Sequence, residues 1–307
     1  MASNKRWGEK FVDERNWPVY NRQLVKRGEY WLDLEWVERW DVELAAMNAG
    51  KVGSPYQYPK SLIELQAFWH AFQLPYRMIQ GITRKLFEFG RLPAVDHYST
   101  VNRRTNQLDL KLLAPQGDNL MLFSDGTGLR AKAGGEYLRE KYGKKNRRWV
   151  QVIILGDPVT KEPVSFEVNI VQGSEPESSK RQLEQLVEEG VDISGFGGDG
   201  AMDDFDVWDL LERIKLAPAV KPQVNARDDS KNELRNREVK ERNKLGYERW
   251  AKKRCYGRRW PATEGIFSAF KRMFGEELAA KSVLGLLREA GLKVWAYQRL
   301  KRYGELS

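Results

Sequence analysis

Apolar side chains recur every three or four positions through residues 29–47, a spacing that predicts one amphipathic helix with its apolar side toward a core. A loop rich in Gly and Pro follows, and two further helices are predicted at residues 61–72 and 76–89. The next helix can begin at Ser99. The apolar stripe of the first helix comprises Leu32, Trp36, Val37, Trp40, Leu44 and Met47. Residues 1–115 are therefore expected to form an all-α region.

The last of these helices presents polar and basic side chains near its start, within little more than one turn. They are Ser99, Thr100, Asn102, Arg103 and Arg104. Short helices followed by one of this kind are typical of a helix-turn-helix, whose second helix enters the major groove of DNA. A plain helical bundle with a polar capping turn has the same pattern, so both interpretations stay open at this point.

The hydrophobic pattern changes near Asn119, where runs of β-branched and aromatic residues replace the helical spacing. Strands are predicted at residues 120–123, 149–155, 164–170, 193–197 and 219–224, and helices at residues 178–189, 204–214, 263–274 and 281–303. Consecutive strands favour antiparallel pairing, whereas strands separated by helices add in parallel. Residues 116–307 are thus predicted to form a mixed sheet with flanking helices. A ribonuclease H-like fold has this order, although other α/β folds share it.

Composition excludes several classes of protein. Hydrophobic residues make up 41% of the 307 residues, enough apolar material for a core and too much for a disordered chain. No apolar run approaches the roughly 18 residues that a membrane-spanning helix needs. Cys255 is the single cysteine, so a disulfide scaffold is excluded. Because the N-terminus lacks an apolar signal stretch, we expect a cytoplasmic protein.

Charge is unevenly distributed along the chain. Residues 1–118 carry 17 basic and 14 acidic groups, residues 119–218 carry 13 and 18, and residues 219–307 carry 22 and 11. The overall net charge is +9. A basic C-terminal third, including a connection at about residues 225–260, beside an acidic middle suits a metal-dependent enzyme that acts on nucleic acid. A charged, solvated helix would have the same composition.

Three acidic residues stand at positions where one sheet topology would bring them together. Asp125 follows the first predicted strand in SDGTG, and Asp199 follows the fourth in GGDGA. If these strands are neighbours, two carboxylates meet at one sheet edge, and the adjacent glycines leave room for a hard cation and a phosphate. Glu264 lies in the first turn of a predicted helix and shares a face with Lys271, seven residues later. A turn or a helix cap is the simpler explanation for each acid alone, and it is their joint placement that favours a site.

Other chemistries have little support. The glycines around residues 195–200 are not followed by the Lys-Ser/Thr of a nucleotide-binding loop. With His70, His97 and one cysteine, neither a zinc cluster nor a Cys-His pair can be assembled.

Several segments together resemble DDE-class insertion-sequence transposases, specifically the branch with a Tyr-Arg-Glu-Lys signature around its third acid. PYRMIQGITRKL and LPAVDHYSTVNRR are similar to the N-terminal DNA-binding region of that family. SDGTGL, GGDGAMD and YGRRWPATEGIFSAFKR are similar to the motifs of its first, second and third acids. The matching segments extend over most of residues 75–275.

The resemblance implies a role for each matching residue. Asp125, Asp199 and Glu264 would bind the metal, and Tyr256, Arg259 and Lys271 would be the signature partners. The gap between Arg259 and Glu264 is one residue longer than in the family, so Arg258 competes with Arg259 for the arginine role. Contacts to DNA are implied for Lys252, Lys253 and Arg258, in addition to the residues of the helix that begins at Ser99.

The resemblance also implies a reaction and its partners. Mg²⁺, for which Mn²⁺ can substitute, would support cleavage and strand transfer at the ends of insertion-sequence DNA. The partners would be double-stranded DNA, as terminal inverted repeats and target, and further copies of the chain on DNA, without a membrane. The protein would be cytoplasmic and associated with the nucleoid. A catalytically inactive DNA-binding relic or regulator, and a ribonuclease H-like nuclease that joins no strands, are the alternatives.

Overall fold

The computed structural model describes residues 15–132, 149–170 and 174–306, together with the backbone of residues 5–6 and 9–10. It divides into two compact units whose segments alternate along the chain. The first unit consists of Met1–Leu24, Leu113–Thr127 and Gln151–Ala269. The second consists of Val25–Leu112, Gly128–Val150 and Phe270–Ser307. The C-terminal segment thus groups with the N-terminal helices, whereas the sequence suggested a single division near residue 115.

The helices begin at polar caps or at breaks in the pattern. Ser174, Asp204, Asn232 and Ser282 each accept a hydrogen bond from a backbone N–H in the first turn of the helix that follows. The described α-helices are α1 (Trp17–Glu29), α2 (Trp40–Asn48), α3 (Lys60–Ala71), α4 (Tyr76–Glu88), α5 (Tyr98–Gln107), α6 (Glu175–Glu188), α7 (Phe205–Arg213), α8 (Glu233–Leu245), α9 (Tyr247–Lys253), α10 (Arg259–Ala262), α11 (Glu264–Phe274) and α12 (Val283–Glu305). Short 3-10 helices lie at Tyr30–Leu32, Glu35–Arg39, Gly200–Met202 and Tyr256–Arg258.

The prediction of one continuous helix over residues 29–47 is wrong. Asp33 interrupts it, because its Oδ1 accepts a hydrogen bond from the Glu35 amide at 3.2 Å. The carbonyl oxygen of Asp33 also accepts from the Trp36 indole N–H at 2.9 Å. Asp side chains compete with helical backbone hydrogen bonds in this way. The chain therefore passes through two 3-10 turns before α2 begins at Trp40.

The second unit has its core around α3 and α12. Phe68 and Trp69 of α3 and Trp295 of α12 are almost fully buried. A smaller cluster joins α2 to α3 through Trp40 and Leu62. Part of the predicted apolar stripe thus belongs to the core. Leu32, which was included in that stripe, is exposed instead.

The strands beyond residue 119 form one mixed sheet. They are β3 (Leu120–Ala131), β4 (Trp149–Asp157), β5 (Glu162–Asn169), β6 (Ile193–Gly198), β7 (Ala217–Val220) and β8 (Glu277–Leu278), and a separate ladder pairs β1 (Lys5–Arg6) with β2 (Glu9–Lys10). The order is β5-β4-β3-β6-β7, with β8 also paired to β3. β4 and β5 are antiparallel, while β3 with β6 and β6 with β7 are parallel. The predicted mixed sheet with flanking helices is confirmed, and it is consistent with a ribonuclease H-like fold.

Alternate residues of β3 face opposite sides of the sheet, as in any strand. Leu122 packs in a cluster with Leu183 of α6 and Trp208 of α7. Its neighbour Phe123 packs instead with Ala262 of α10. Burial of apolar side chains stabilises such contacts by about 25 cal/mol per Å². Helices of the first unit therefore flank both faces.

The segment that the sequence suggested as a basic connection, residues 225–260, contains helices α8 and α9. Arg235 of α8 pairs with the fully buried carboxylate of Asp203 at 2.8 Å, and Asp203 also accepts from the Trp208 indole N–H. This segment is consequently attached to the sheet unit. No helix of the described residues is long and apolar enough to cross a membrane.

Candidate active site

Two of the three predicted acids lie level with each other on adjacent parallel strands. Phe123 of β3 is opposite Gly197 of β6, and Asp125 and Asp199 each come two residues later. Asp199 follows the end of β6, as predicted. Asp125 does not follow a strand but lies inside one, because β3 continues to Ala131.

The extension of β3 could not be read from its sequence, since Asp and Gly are depleted in strands. Its far end is held by pairing with β8, where Arg130 is opposite Glu277 and Ala131 is opposite Leu278. These pairings join segments that are distant in sequence. The strand therefore depends on tertiary structure at the point where local propensity opposes it.

The glycines near the acids serve packing, which corrects the prediction that they leave room for a cation and a phosphate. A Cβ atom at Gly197 would collide with the Phe123 ring, and one at Gly198 would collide with Met202. A Cβ at Gly126 would collide with the carboxylate of Glu175. At Gly200 the nearest atom to such a Cβ is 3.9 Å away, so this glycine alone among those named has open space beside it.

The third predicted acid, Glu264, is the first residue of α11. Arg259 connects it to the first acid: its Nη1 lies 3.1 Å from Asp125 Oδ2 and its Nη2 lies 2.6 Å from Glu264 Oε1. The hydroxyl of Thr263 donates to the carbonyl oxygen of Arg259 at 3.0 Å, which ties the turn between α10 and α11 together. Arg258, the competing arginine, is exposed. Of the two arginines, Arg259 is the one that forms ion pairs with the acids.

Tyr256 lies beside this pair and is buried. Burial raises its pKa to about 12, and the negative charge of Asp199 acts in the same direction. The guanidinium of Arg259 stands 5.9 Å from the centre of its ring. Burial by itself would lower the pKa of Arg259, but Tyr256, Asp125 and the other acids raise it above the ordinary value. The arginine is therefore cationic and the phenol neutral at neutral pH.

The carboxylates repel one another in a partly desolvated setting. Burial raises the pKa of Asp125; Arg259 opposes the rise, and the charge of Asp199 adds to it. Burial likewise raises the pKa of Glu175, with the Gln151 hydrogen bond opposing and the charges of Asp125 and Asp199 adding. Glu175 is thus a fourth acid at this site.

Sequence reasoning missed Glu175, although a signal existed. The predicted helix began at Ser178, but Ser174 caps the helix and makes Glu175 its first residue. The side chain accepts a hydrogen bond from Gln151 Nε2 of β4 at 3.0 Å. A Ser followed by two glutamates in SEPES is a common helix start, so the capping pattern could have located it.

Lys271 lies two turns after Glu264 in α11, as predicted. It belongs to the second compact unit, where its Nζ lies 3.5 Å from Glu276. Its predicted role as a signature partner remains a prediction.

The predicted DNA-contacting residues of α5 differ in exposure. Ser99, Asn102 and Arg103 are exposed, and Thr100 is half-buried. Arg104 instead donates to the carbonyl oxygen of Tyr58 and lies 4.8 Å from the centre of the Tyr56 ring. In the first unit, the predicted contacts Lys252, Lys253 and Arg258 are all exposed. Lys253 also pairs with Glu241.

The donor chemistry of the site suits a hard divalent cation, which prefers carboxylate oxygens. Gln151 provides a further observation, since its Oε1 is buried and has no hydrogen-bond partner among the described residues. Within the described part of the chain, no group of three or more Asp, Glu, His or Cys side chains is arranged so that it could bind a metal ion without rearrangement. Arg259 supplies the positive charge between Asp125 and Glu264 instead.

Comparison with known families adds an independent finding. Residues 25–134 match a family model described as "Transposase DDE domain". The match includes α2 to α5 and all of β3, with Asp125, but neither Asp199 nor Glu264. No curated protein matches the chain. Over this segment the chain is similar to transposase DDE domains, which supports a nucleic-acid-processing enzyme of the DDE transposase kind.

Proposed function

We propose that this protein is a transposase that cleaves and joins DNA at the ends of an insertion sequence. The observation that carries the proposal is the placement of Asp125 in β3 and of Asp199 just past the end of the adjacent parallel strand β6, each two residues beyond the Phe123–Gly197 pair, with Arg259 connecting Asp125 to Glu264. The match of residues 25–134 to transposase DDE domains supports the same function. The mixed sheet with flanking helices is consistent with a ribonuclease H-like fold, and the assignment to the branch with a Tyr-Arg-Glu-Lys signature is part of this proposal.

Asp125, Asp199 and Glu264 are the residues that would hold Mg²⁺, or Mn²⁺ in its place. Bound there, such cations would activate the attacking oxygen and stabilise the leaving oxygen of a phosphoryl transfer. In the first step, water attacks phosphorus at the element's end and the bond to the 3′ oxygen breaks. The freed 3′-hydroxyl then attacks a phosphodiester of the target DNA, the bond from that phosphorus to the target's 3′ oxygen breaks, and a target 3′-hydroxyl is the leaving group.

The chain's own cationic and neutral donors would orient the phosphate. Arg259 can exchange one of its two carboxylate partners for a phosphate oxygen, since guanidinium binds both in a bidentate manner. Tyr256, with its pKa raised to about 12, stays protonated and can donate a hydrogen bond rather than act as a nucleophile. Lys271 is proposed as a further phosphate-binding group.

DNA contacts outside the acids are proposed on two surfaces. Ser99, Thr100, Asn102 and Arg103 of α5 would contact the terminal repeats in the manner of a helix-turn-helix, and Arg104 would support that helix. Lys252, Lys253 and Arg258 would follow the phosphate backbone. Because two DNA ends must be processed together, we propose that the active form contains more than one copy of the chain.

The test uses a plasmid that carries the DNA flanking the protein's own coding region. The purified chain is incubated with Mg²⁺, Mn²⁺ or EDTA, and strand ends and joined products are mapped by sequencing. We expect metal-dependent cuts at inverted repeats, followed by joined strands. Asp125→Asn, Asp199→Asn and Glu264→Gln should each reduce cleavage at least about 1,000-fold while DNA affinity changes little.

Asn is chosen at position 199 because its side-chain oxygen can still accept from the Ala201 amide, as Asp199 does at 2.8 Å. Asp206→Asn is the matched control, since this carboxylate is exposed and pairs with Lys180 outside the site. Cleavage without joined strands would indicate a nuclease instead. DNA binding without cleavage in either metal would indicate a relic or regulator and would refute the proposed enzyme.

A further inference from the structure

Glu175 extends the acidic site beyond the three predicted residues. It is half-buried at the start of α6, and its carboxylate occupies the space beside Gly126, directly after Asp125. A Cβ atom at position 126 would collide with Glu175 Oε1 and lie 3.5 Å from Gln151 Nε2. The side chain is therefore held against β3 and β4 rather than extended into solvent.

Its hydrogen-bond partner is incompletely satisfied. Gln151 donates from Nε2 to Glu175 Oε1 at 3.0 Å, while Gln151 Oε1 is buried without a partner among the described residues. A buried acceptor without a donor destabilises the folded protein. A water molecule at this position would satisfy it, and the water molecules of a hydrated cation are donors of that kind.

Glu175 and Glu264 differ in whether a positively charged side chain bonds to them. Arg259 bonds to Asp125 and Glu264, and the side chain of Glu264 is 45% exposed. Among the described residues, the Glu175 carboxylate accepts a side-chain hydrogen bond from the neutral amide of Gln151, and Asp125 and Asp199 lie near enough to act on it electrostatically. Buried carboxylates without a cationic partner are costly unless a cation joins them.

We propose that Glu175 is a fourth cation-binding carboxylate of this site, acting with Asp125 and Asp199. The proposal rests on the function proposed above and specifies which residues bind its cation. These three carboxylates, which repel one another without a cation, would together hold it. Glu264 is instead paired with Arg259 in this structure.

A purely structural role for Glu175 is the competing explanation, because acids in the first turn stabilise a helix through its dipole. Glu177 shares that first turn and is exposed, so it offers a matched control. A dipole effect would make the two glutamates behave alike. Cation binding would affect Glu175 alone.

The experiment measures Mn²⁺ binding to the full-length, metal-free chain by isothermal titration calorimetry, without DNA. Glu175→Gln should weaken the affinity at least about 10-fold, the effect typical of residues that support a metal site. Glu177→Gln should bind Mn²⁺ like the unmodified chain, and Asp199→Asn should bind it much more weakly. Glu175→Asp keeps the charge but withdraws it from Gly126, so it should weaken binding less than Glu175→Gln does.

Thermal unfolding of the metal-free variants gives a second readout. Glu175→Gln removes a negative charge next to two others, so its melting temperature should equal or exceed that of the unmodified chain. Addition of Mn²⁺ should then raise that temperature less than it does in the unmodified chain. A structural role would lower the temperature without changing the effect of Mn²⁺.

Each result decides between the two proposals. If Asp199→Asn loses Mn²⁺ affinity and cleavage while Glu175→Gln keeps full affinity, the role of Glu175 is refuted and the proposed function stands. If the unmodified chain binds no Mn²⁺ and cuts no DNA, both proposals fail. If Glu175→Gln does not fold, the affinity of Glu175→Asp decides: an affinity equal to that of the unmodified chain refutes the proposal.

Discussion

At the scale of single residues, the position of Arg259 and Glu264 depends on a glycine in a different element. A Cβ atom at Gly156 of β4 would collide with the backbone carbonyl oxygen of Ala262 and reach 3.0 Å from Ile266. The helices that carry Arg259 and Glu264 therefore approach the sheet closely at this point. Only glycine permits such an approach, because backbone atoms cannot move aside as a flexible side chain can.

We predict that Gly156→Ala destabilises the protein by about 1–3 kcal/mol, the range of an overpacked core. The displaced helices should also separate Arg259 from Asp125 and reduce cleavage. Urea unfolding measures the first effect and the plasmid assay the second. Gly257→Ala is the control, since no atom lies within 4 Å of a Cβ there. Equal stability of the two variants would contradict the close packing.

At the scale of elements, α5 combines a surface and an anchor within one helix. Arg103 is exposed, whereas the adjacent Arg104 bonds to Tyr58 and stacks near the Tyr56 ring. Burial lowers the pKa of Arg104, and the Tyr56 and Asp96 charges oppose that shift. The sequence alone treated the two arginines as equivalent, because their different roles depend on residues about 46 positions earlier in the chain.

We predict that Arg103→Ala weakens DNA binding and reduces the slope of log affinity against log salt by about 1, without changing stability. Arg104→Ala should lower the unfolding free energy by about 1–2 kcal/mol, because it loses a charged hydrogen bond and a cation–π contact. Fluorescence anisotropy at several salt concentrations and urea unfolding separate these effects. If Arg103→Ala leaves both affinity and slope unchanged, α5 does not contact DNA.

At the scale of the whole molecule, a partly desolvated histidine contributes to the response of stability to mild acid. The chain has two histidines, and the pKa of His70 is lowered. Burial lowers the pKa of His70 from its ordinary 6.5, while the hydrogen bond to Leu74 and the charge of Glu289 oppose the shift and Lys293 supports it. The folded state therefore favours the neutral ring.

The unfolded chain consequently binds more protons at His70 than the folded chain does just below pH 6.5. The contribution of His70 to the free energy of unfolding is fully present above pH 6.5. It declines as the pH falls toward the lower pKa of His70 in the folded state, by at most about 1.4 kcal/mol per pH unit. We predict that His70→Gln flattens this decline. The substitution also removes the stacking of the His70 ring on the Tyr76 ring, whose centre is 4.0 Å away, and this lowers stability by the same amount at every pH. Parallel urea titrations between pH 5 and 7 measure the difference; identical pH dependence in both chains would contradict the buried, neutral His70.

The sequence by itself determined the order of strands β3 to β7 and of helices α3 to α7, α11 and α12, the mixed sheet, and the positions of Asp199 and Glu264 at element ends. It did not predict α1, α8, α9 or β8. The predicted features depend on hydrophobic periodicity and capping, which are local properties of the chain. The break at Asp33 and the start of α6 at Glu175 were also encoded locally, in side-chain caps that periodicity alone does not reveal.

Only the tertiary structure decided the rest. β3 extends through Asp125 because β8 pairs with its far end. Arg259 bonds to the acids whereas Arg258 is exposed, and α10 approaches the sheet closely at Gly156. Glu175 joins the site through Gly126 and Gln151, which lie on other strands. Each of these contacts joins residues far apart in the chain, so their geometry follows from the packed fold and not from any local pattern.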